Sequence, residues 1–368
     1  MNYQHVCLEA ISYSLPEEIV TSEELEARLA DVYQRLRLPA GRLELMTGIR
    51  ERRFWPKGTL PGDVSVTTGE KAIRSSGIDR DEIGLLVHGS VCRDHLEPAT
   101  ASSVHHRLGL SDRCLVYDVS NACLGLLNGM LQAANMIELG HTRAALVVGT
   151  EDARHLVEAT IDSLNADQTL TRESVKPAVA SLTIGSGSAA VLLTHRDLSR
   201  TGNRLIGAAW RAETAHHRLC HSGADEAAGG GMRPLMETDS ETLMREGVAA
   251  AQATFASFQS QTGWSTANID KTVCHQVGLA HRKLLLSALG LDPRNDFTTV
   301  ETLGNTGSVA LPMTAAIAAE RGHLNPNDRL ALLGIGSGIN VVMLGVEWQT
   351  AAIAQASDAA ATMALSAP

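Results

Sequence analysis

Aromatic side chains are nearly missing from this chain: four Trp, four Tyr and four Phe make 3% of its 368 residues. A core of ordinary density must then be assembled from Val, Leu, Ile and Ala. The 32 glycines allow close backbone approach, and such material suits layered α/β architecture. No uncharged apolar run reaches the roughly eighteen residues of a membrane-spanning helix, so no transmembrane segment is expected. No long block of one charge sign occurs, and the net charge is −10. That balance excludes nucleic acid as the main partner, because phosphate contacts need a basic footprint. The opening MNYQHVCLEA lacks a basic segment followed by an apolar one, so a signal peptide is not expected. The six cysteines (Cys7, Cys92, Cys114, Cys123, Cys220, Cys274) form no CxxC pair. In a chain of this length, that pattern points to reduced thiols in a cytoplasmic protein.

What is present is a βαβ rhythm. Apolar runs without alternation predict buried strands over 83–89, 114–119 and 144–149, with helices over 99–108 and 124–139 between them. The second half repeats the plan. Strands are predicted over 271–275, 297–300 and 329–334, helices over 279–288 and 309–321, and a final strand over 341–346. From His88 to Cys123 is 35 positions, and from His275 to Asn305 is 30. In both halves a strand end is followed by a small-residue turn that opens a helix, NACLGLLNG in one and GNTGSVALP in the other. The chain therefore reads as two duplicated α/β halves, 1–195 and 196–349, followed by an Ala-rich tail over 350–368. The polar stretches 150–182 and 196–245 read as insertions covering a site.

Cys123 lies just past a predicted buried strand, at the start of a helix. The positive end of the helix dipole there favours a thiolate, and free N–H groups there hold an oxyanion. A free cysteine is otherwise a small buried apolar residue. His275 ends a predicted strand, where open α/β sheets carry site residues, though a histidine at such a place can simply be core. Asn305 opens the helix equivalent to that of Cys123, where a plain helix cap is the alternative. The duplication would bring the two helix starts together, with His275 beside them. The cluster His216-His217-Arg218-Leu219-Cys220-His221 offers four metal-ligating side chains, but neighbours in sequence do not converge on one ion, and no metal site is expected. The Ser186 and Ser337 surroundings lack the GxSxG elbow of hydrolases, and the 334–338 loop lacks the Walker lysine and GxGxxG spacing.

DVSNACLGLLNG, HQV, LGNTGSVALP and GIGSGIN, in this order and spacing, resemble the β-ketoacyl-ACP synthase III branch of the thiolase superfamily, as does MTGIRERRF over 46–54. The resemblance runs from about residue 3 to residue 348. It implies a five-layered αβαβα fold, a homodimer, and coenzyme A thioesters as substrates with no cofactor. It makes Cys123 the acylated nucleophile, with His275 and Asn305 as donors to the second substrate's thioester carbonyl. The N–H of Cys123, with one from the loop containing Gly338, would form a second oxyanion hole. Arg50 matches the arginine of the branch's TGIRER motif and is a candidate for binding coenzyme A. A tryptophan often found in this branch is replaced by Arg42.

The stretch 94–102, DHLEPATAS, is similar to the olefin-pathway enzymes that join two fatty acyl-CoAs head to head. There a glutamate at the position of Glu97 reaches into the partner subunit's site as the base that removes an α-proton. An acyl thioester without a carboxyl group to lose needs such a base. The alternative for Glu97, ahead of Pro98, is a favourable anion near a helix start. Non-decarboxylative condensation is thus expected. Decarboxylative elongation with a malonyl thioester on acyl carrier protein, acyl transfer to a hydroxyl or amine, a non-catalytic subunit and a thioesterase are the competing readings.

Overall fold

Leu85, Leu86 and Val87, and Ala145 through Val148, are buried on both faces. Strands of that kind have to be covered by helices on each side. The computed structural model describes residues 1–223 and 235–350, and these strands form the middle of one of its two sheet leaves. The strands are β1 (Val6–Ser14), β2 (Glu18–Thr21), β3 (Glu51–Phe54), β4 (Ile83–His88), β5 (Leu115–Asp118), β6 (Ala144–Glu151) and β7 (Gly187–His195), then β8 (Arg204–Ala212), β9 (Cys220–Ser222), β10 (Met236–Thr238), β11 (Lys271–Cys274), β12 (Arg329–Gly336) and β13 (Asn340–Glu347).

Nine of these run in the order β11-β12-β13-β8-β1-β7-β6-β4-β5, while β2 with β3 and β9 with β10 make two ribbons. Along the first leaf, β1 to β7 and β7 to β6 are antiparallel, and β6 to β4 and β4 to β5 are parallel. Along the second, β8 to β13 and β13 to β12 are antiparallel and β12 to β11 is parallel. The two leaves repeat one pattern and meet where Cys7 pairs with Arg204.

The layers follow from which side chains are buried together. Leu126, Met130 and Ile137 of the helix Gly125–Glu138 share one core with Leu311, Ala315 and Ala318 of the helix Ala310–Glu320, and with Val87, Val191, Leu332 and Leu344 of the two leaves. Residues 310–319 are all buried, as a helix enclosed between sheets requires. The helices Pro61–Ser76 and Thr100–Leu108 cover the outer face of the first leaf. Ser240–Thr262 and Leu279–Leu289 cover that of the second. The result is the five-layered αβαβα arrangement. A further cluster (Leu25, Val32, Phe54, Val157, Ile161) joins the 22–47 helices to the helix Arg154–Ala166 above the strand ends. Among the described residues no helix is long and apolar enough to cross a membrane.

Two expectations are corrected. Residues 297–300 are not a strand. Thr272 and Asp296 form a single bridge, and the helix Val300–Leu303 follows directly. The side chain of Gln276 accepts from the N–H of both Thr299 and Val300. Those donors are thereby taken from any strand ladder. This segment stands where β5 stands in the first leaf, so the duplicate of β5 is reduced to one bridge. The stretch 196–245 is not merely an insertion, because it contains β8, a strand at the seam of the two leaves. Trp210 and the arginines at its ends disguise it, since the burial is confined to its middle. Most of the predicted tail, 351–368, lies outside the described residues.

Candidate active site

β4, β5 and β6 run parallel, as do β11 and β12, and the candidate residues collect at the carboxyl ends of these strands. Cys123 follows β5. Asp118, which closes β5, accepts from the N–H of Thr100 and of Ala101 at 2.8 Å each. The strand end is thereby tied to a helix start, where an anion is favoured. The chain then turns through Ala122, whose φ of 44° is left-handed and costly for a residue with a Cβ. That turn is held by side chains: Asn121 donates to Asn128 at 2.8 Å and accepts from Asn340 at 3.2 Å. Asn340 starts β13, so the Cys123 turn is fixed to the glycine-rich loop between β12 and β13. Gly336 lies against it, and a Cβ there would stand 3.6 Å from the Cys123 nitrogen. Gly338 has φ of 132°, and a Cβ would meet the Asn340 amide at 2.4 Å, so only glycine fits this tip.

The electrostatics of Cys123 reverse the expectation. Burial, and then the nearby Cys220 and Glu151, push its thiol up to about 12. The helix begins only at Gly125, and its dipole does not offset the loss of hydration.

His275 follows β11, and its N–H donates to Leu333 O of β12 at 3.1 Å. The ring is buried, its Nδ1 has no partner among the described residues, and burial with the neighbouring His281 pushes it down to about 3. Its counterpart in the first leaf, His88, is bonded instead to Ser65 Oγ at 3.2 Å. His281, close by His275, likewise has a buried Nδ1 with no partner among the described residues, so the two imidazoles form an unsatisfied pair in this part of the fold. Gln276 joins His275 to the segment leading to Asn305: its Oε1 accepts from Thr298 Oγ1 at 2.7 Å, Thr299 N at 2.9 Å and Val300 N at 3.0 Å.

Asn305 is pinned on both sides. Its N–H donates to Thr183 O and its carbonyl accepts from Gly185 N, each at 2.9 Å. The chains lie so close that a Cβ on Gly185 would be 2.0 Å from Leu303 O. Asn305 Oδ1 accepts from Gly307 N at 3.0 Å, which leaves the Nδ2 group as donor. The helix itself starts only at Ala310, so Asn305 is not its cap; its side chain closes a local turn ahead of the helix and keeps a free donor.

Glu97 stands apart. It is exposed on the loop between β4 and the helix Thr100–Leu108, with no hydrogen bond or ion pair among the described residues. In one chain it is not the desolvated carboxylate that a base requires. Arg50 is exposed too, and its N–H donates to Glu301 O at 2.9 Å, on the arm that leads to Asn305. In the 216–221 cluster, His217 meets Thr214 O, His216 lies 3.7 Å from Glu246 and His221 lies 3.9 Å from Glu237. Among the described residues no group of three or more His, Cys, Asp or Glu is placed to hold a metal.

Sequence reasoning missed Gln276 and the buried Glu151, which ends β6. An acid closing an otherwise apolar strand was the available signal for Glu151.

Comparison with known proteins follows this geometry. The thiolase N-terminal domain family matches residues 45–186, and the 3-oxoacyl-[acyl-carrier-protein] synthase III C-terminal family matches residues 260–348. An acyl-CoA:acyl-CoA alkyltransferase of Shewanella oneidensis is 45% identical over 95% of this chain and 100% of its own length. One of the same description from Xanthomonas campestris is 35% identical, with the same shares covered. A crystal structure of Xanthomonas campestris OleA superposes with a TM-score of 0.89 at 35% identity, over 95% of this chain and 98% of that one. The chain therefore belongs to the thiolase superfamily and, within it, to the acyl-CoA:acyl-CoA alkyltransferase family.

Proposed function

We propose that this enzyme joins two fatty acyl-CoAs by non-decarboxylative Claisen condensation. The observation that carries the reading is an end-to-end match to an acyl-CoA:acyl-CoA alkyltransferase in a chain that places a thiol, a neutral imidazole and a carboxamide at one set of strand ends. Cys123 attacks the first thioester, its proton leaves with the departing coenzyme A thiol, and an acyl-cysteine forms. A base removes an α-proton from the second acyl-CoA. The resulting enolate oxygen is held by His275 and Asn305, and a single such donor is typically worth about 2.7–4 kcal/mol. The carbanion attacks the acyl carbon, the C–S bond to Cys123 breaks, and a β-ketoacyl-CoA leaves. The Cys123 N–H and the loop of Gly338 hold the oxyanion of the acyl transfer, and Arg50 at the mouth meets coenzyme A.

Glu97 is the base, acting across a homodimer in the cytoplasm. Supporting this, β5 is an edge strand with Leu115 51% exposed, and Val91 and Leu96 beside Glu97 are about half exposed. A second copy covering these apolar side chains would take water from the loop that carries Glu97.

Mass spectrometry of the enzyme given one long-chain acyl-CoA tests the reaction. A β-ketoacyl product, or the ketone from its decarboxylation, is the expected result. Product only after a malonyl thioester on coenzyme A or acyl carrier protein is added would replace this reading with decarboxylative elongation. Cys123→Ala removes acylation and product together. Glu97→Gln retains the acyl-enzyme and loses product, and unchanged condensation in that variant sinks the role given to Glu97.

A further inference from the structure

Glu151 is 5% exposed and closes β6. Its Oε1 accepts from Val91 N at 3.1 Å, from Ser308 Oγ at 2.5 Å and from Ser308 N at 3.3 Å, and its Oε2 accepts from Cys92 N at 3.2 Å. Three of these donors converge on Oε1 and one on Oε2, so both oxygens of the buried carboxylate are held by the protein's own groups. The donors come from two segments. Val91 and Cys92 begin the loop that ends at Glu97, and Ser308 lies in the turn entered through Asn305. Gly307, with φ of 57°, packs directly on the carboxylate: a Cβ there would lie 3.2 Å from Glu151 Cγ. An apolar side chain would fill this space without the loss of hydration that a buried carboxylate suffers. What it would not do is hold two loops in one position.

We propose that Glu151 is a positioning residue, a tether that fixes two segments that condensation needs: the Asn305 turn, which holds the second acyl-CoA of its own site, and the loop from which Glu97 reaches the second acyl-CoA of the partner's site. The inference rests on the condensation reading above. Acyl transfer to Cys123 requires neither the Asn305 donor nor the Glu97 base, and so does not depend on the alignment that the tether gives them.

The test separates the two half-reactions in wild type, Glu151→Gln and Ser308→Ala, with a long-chain acyl-CoA as the probe. Glutamine keeps the size but sets an amide N–H₂ among N–H donors. Acylation of Cys123, followed by mass spectrometry, should proceed near the wild-type rate in S308A and no slower than wild type in E151Q, where loss of the carboxylate removes one of the charges that raise the thiol. Condensation from the acyl-enzyme should fall by about 10²-fold in E151Q and about 10-fold in S308A, as a displacement of about 1 Å does. A merely structural role would lower the folded fraction, and with it both half-reactions alike. An equal fall of both half-reactions, or unchanged condensation, overturns the proposal. If E151Q does not fold, the split in S308A decides. Failure of the condensation reading itself would be seen in the wild type, which would acylate and form no β-ketoacyl product, whereas failure of the tether alone appears only in the variants.

Discussion

A thiol pushed up to about 12 beside an imidazole pushed down to about 3 leaves both groups neutral in the resting site. Charge then develops only with substrate in place, and the free enzyme is shielded from the oxidants and alkylating agents that attack thiolates. The sign of the shift sets a test. With the thiol pKa raised, the thiolate fraction of Cys123 grows about tenfold per pH unit from pH 7 to 9.5, where an ordinary cysteine levels off near 8.5. Iodoacetamide labelling of the Cys123 peptide should climb across that whole window, and a plateau below pH 8 would contradict the buried-thiol picture. Residue types at strand ends and helix starts singled out Cys123, His275 and Asn305 as candidates in the sequence, and the family resemblance supplied the roles proposed for them. The direction of the thiol shift was not legible, because the helix start was visible while the burial of the sulfur, with Cys220 and Glu151 acting on it, was not. Glu151 and Gln276 bind segments 60, 157 and 23 positions away, and acceptors of that reach leave no local pattern.

The element that aims the nucleophile is the helix Gly125–Glu138. Its first residue touches the backbone after β4: a Cβ on Gly125 would be 3.0 Å from the Gly89 carbonyl carbon, and one on Gly89 would be 2.9 Å from that of Gly125. Gly125→Ala should push the helix off the strand end, costing about 1–3 kcal/mol of stability as overpacking does. The rate of Cys123 acylation should fall more than the thermal midpoint alone accounts for. A variant that acylates at the wild-type rate would show that this contact does not aim the cysteine. Most elements of the two halves were legible because doubly buried strands read as unbroken apolar runs. β1, β7 and β8 went unassigned for a related reason: their Ala, Gly and Ser content and polar ends resemble loop composition, and partner strands supply the burial.

At the scale of the molecule, the two leaves differ in one respect that bears on assembly. The first ends in β5, an open parallel edge carrying Leu115. Leu115→Lys should yield monomers by light scattering, retain Cys123 acylation and lose condensation, because the Glu97 of a second copy would no longer arrive. A monomeric variant that still condenses would place the base within one chain. The two α/β halves were legible through the repeat, and the five-layered arrangement through the resemblance to the thiolase superfamily. The missing strand was not, because FTTV has the composition of a strand, and it is Gln276, folded back from β11, that claims the amides of Thr299 and Val300.

That lost strand leaves the far edge of the molecule blunted, with Phe297 N–H donating to Thr272 O beside a lone bridge. Two equally open margins would let copies add one after another without limit. Were the β5 margin to pair with a second copy as proposed, the blunted margin opposite would offer no second site for growth, and decay of the repeat in one half would hold the assembly at a pair.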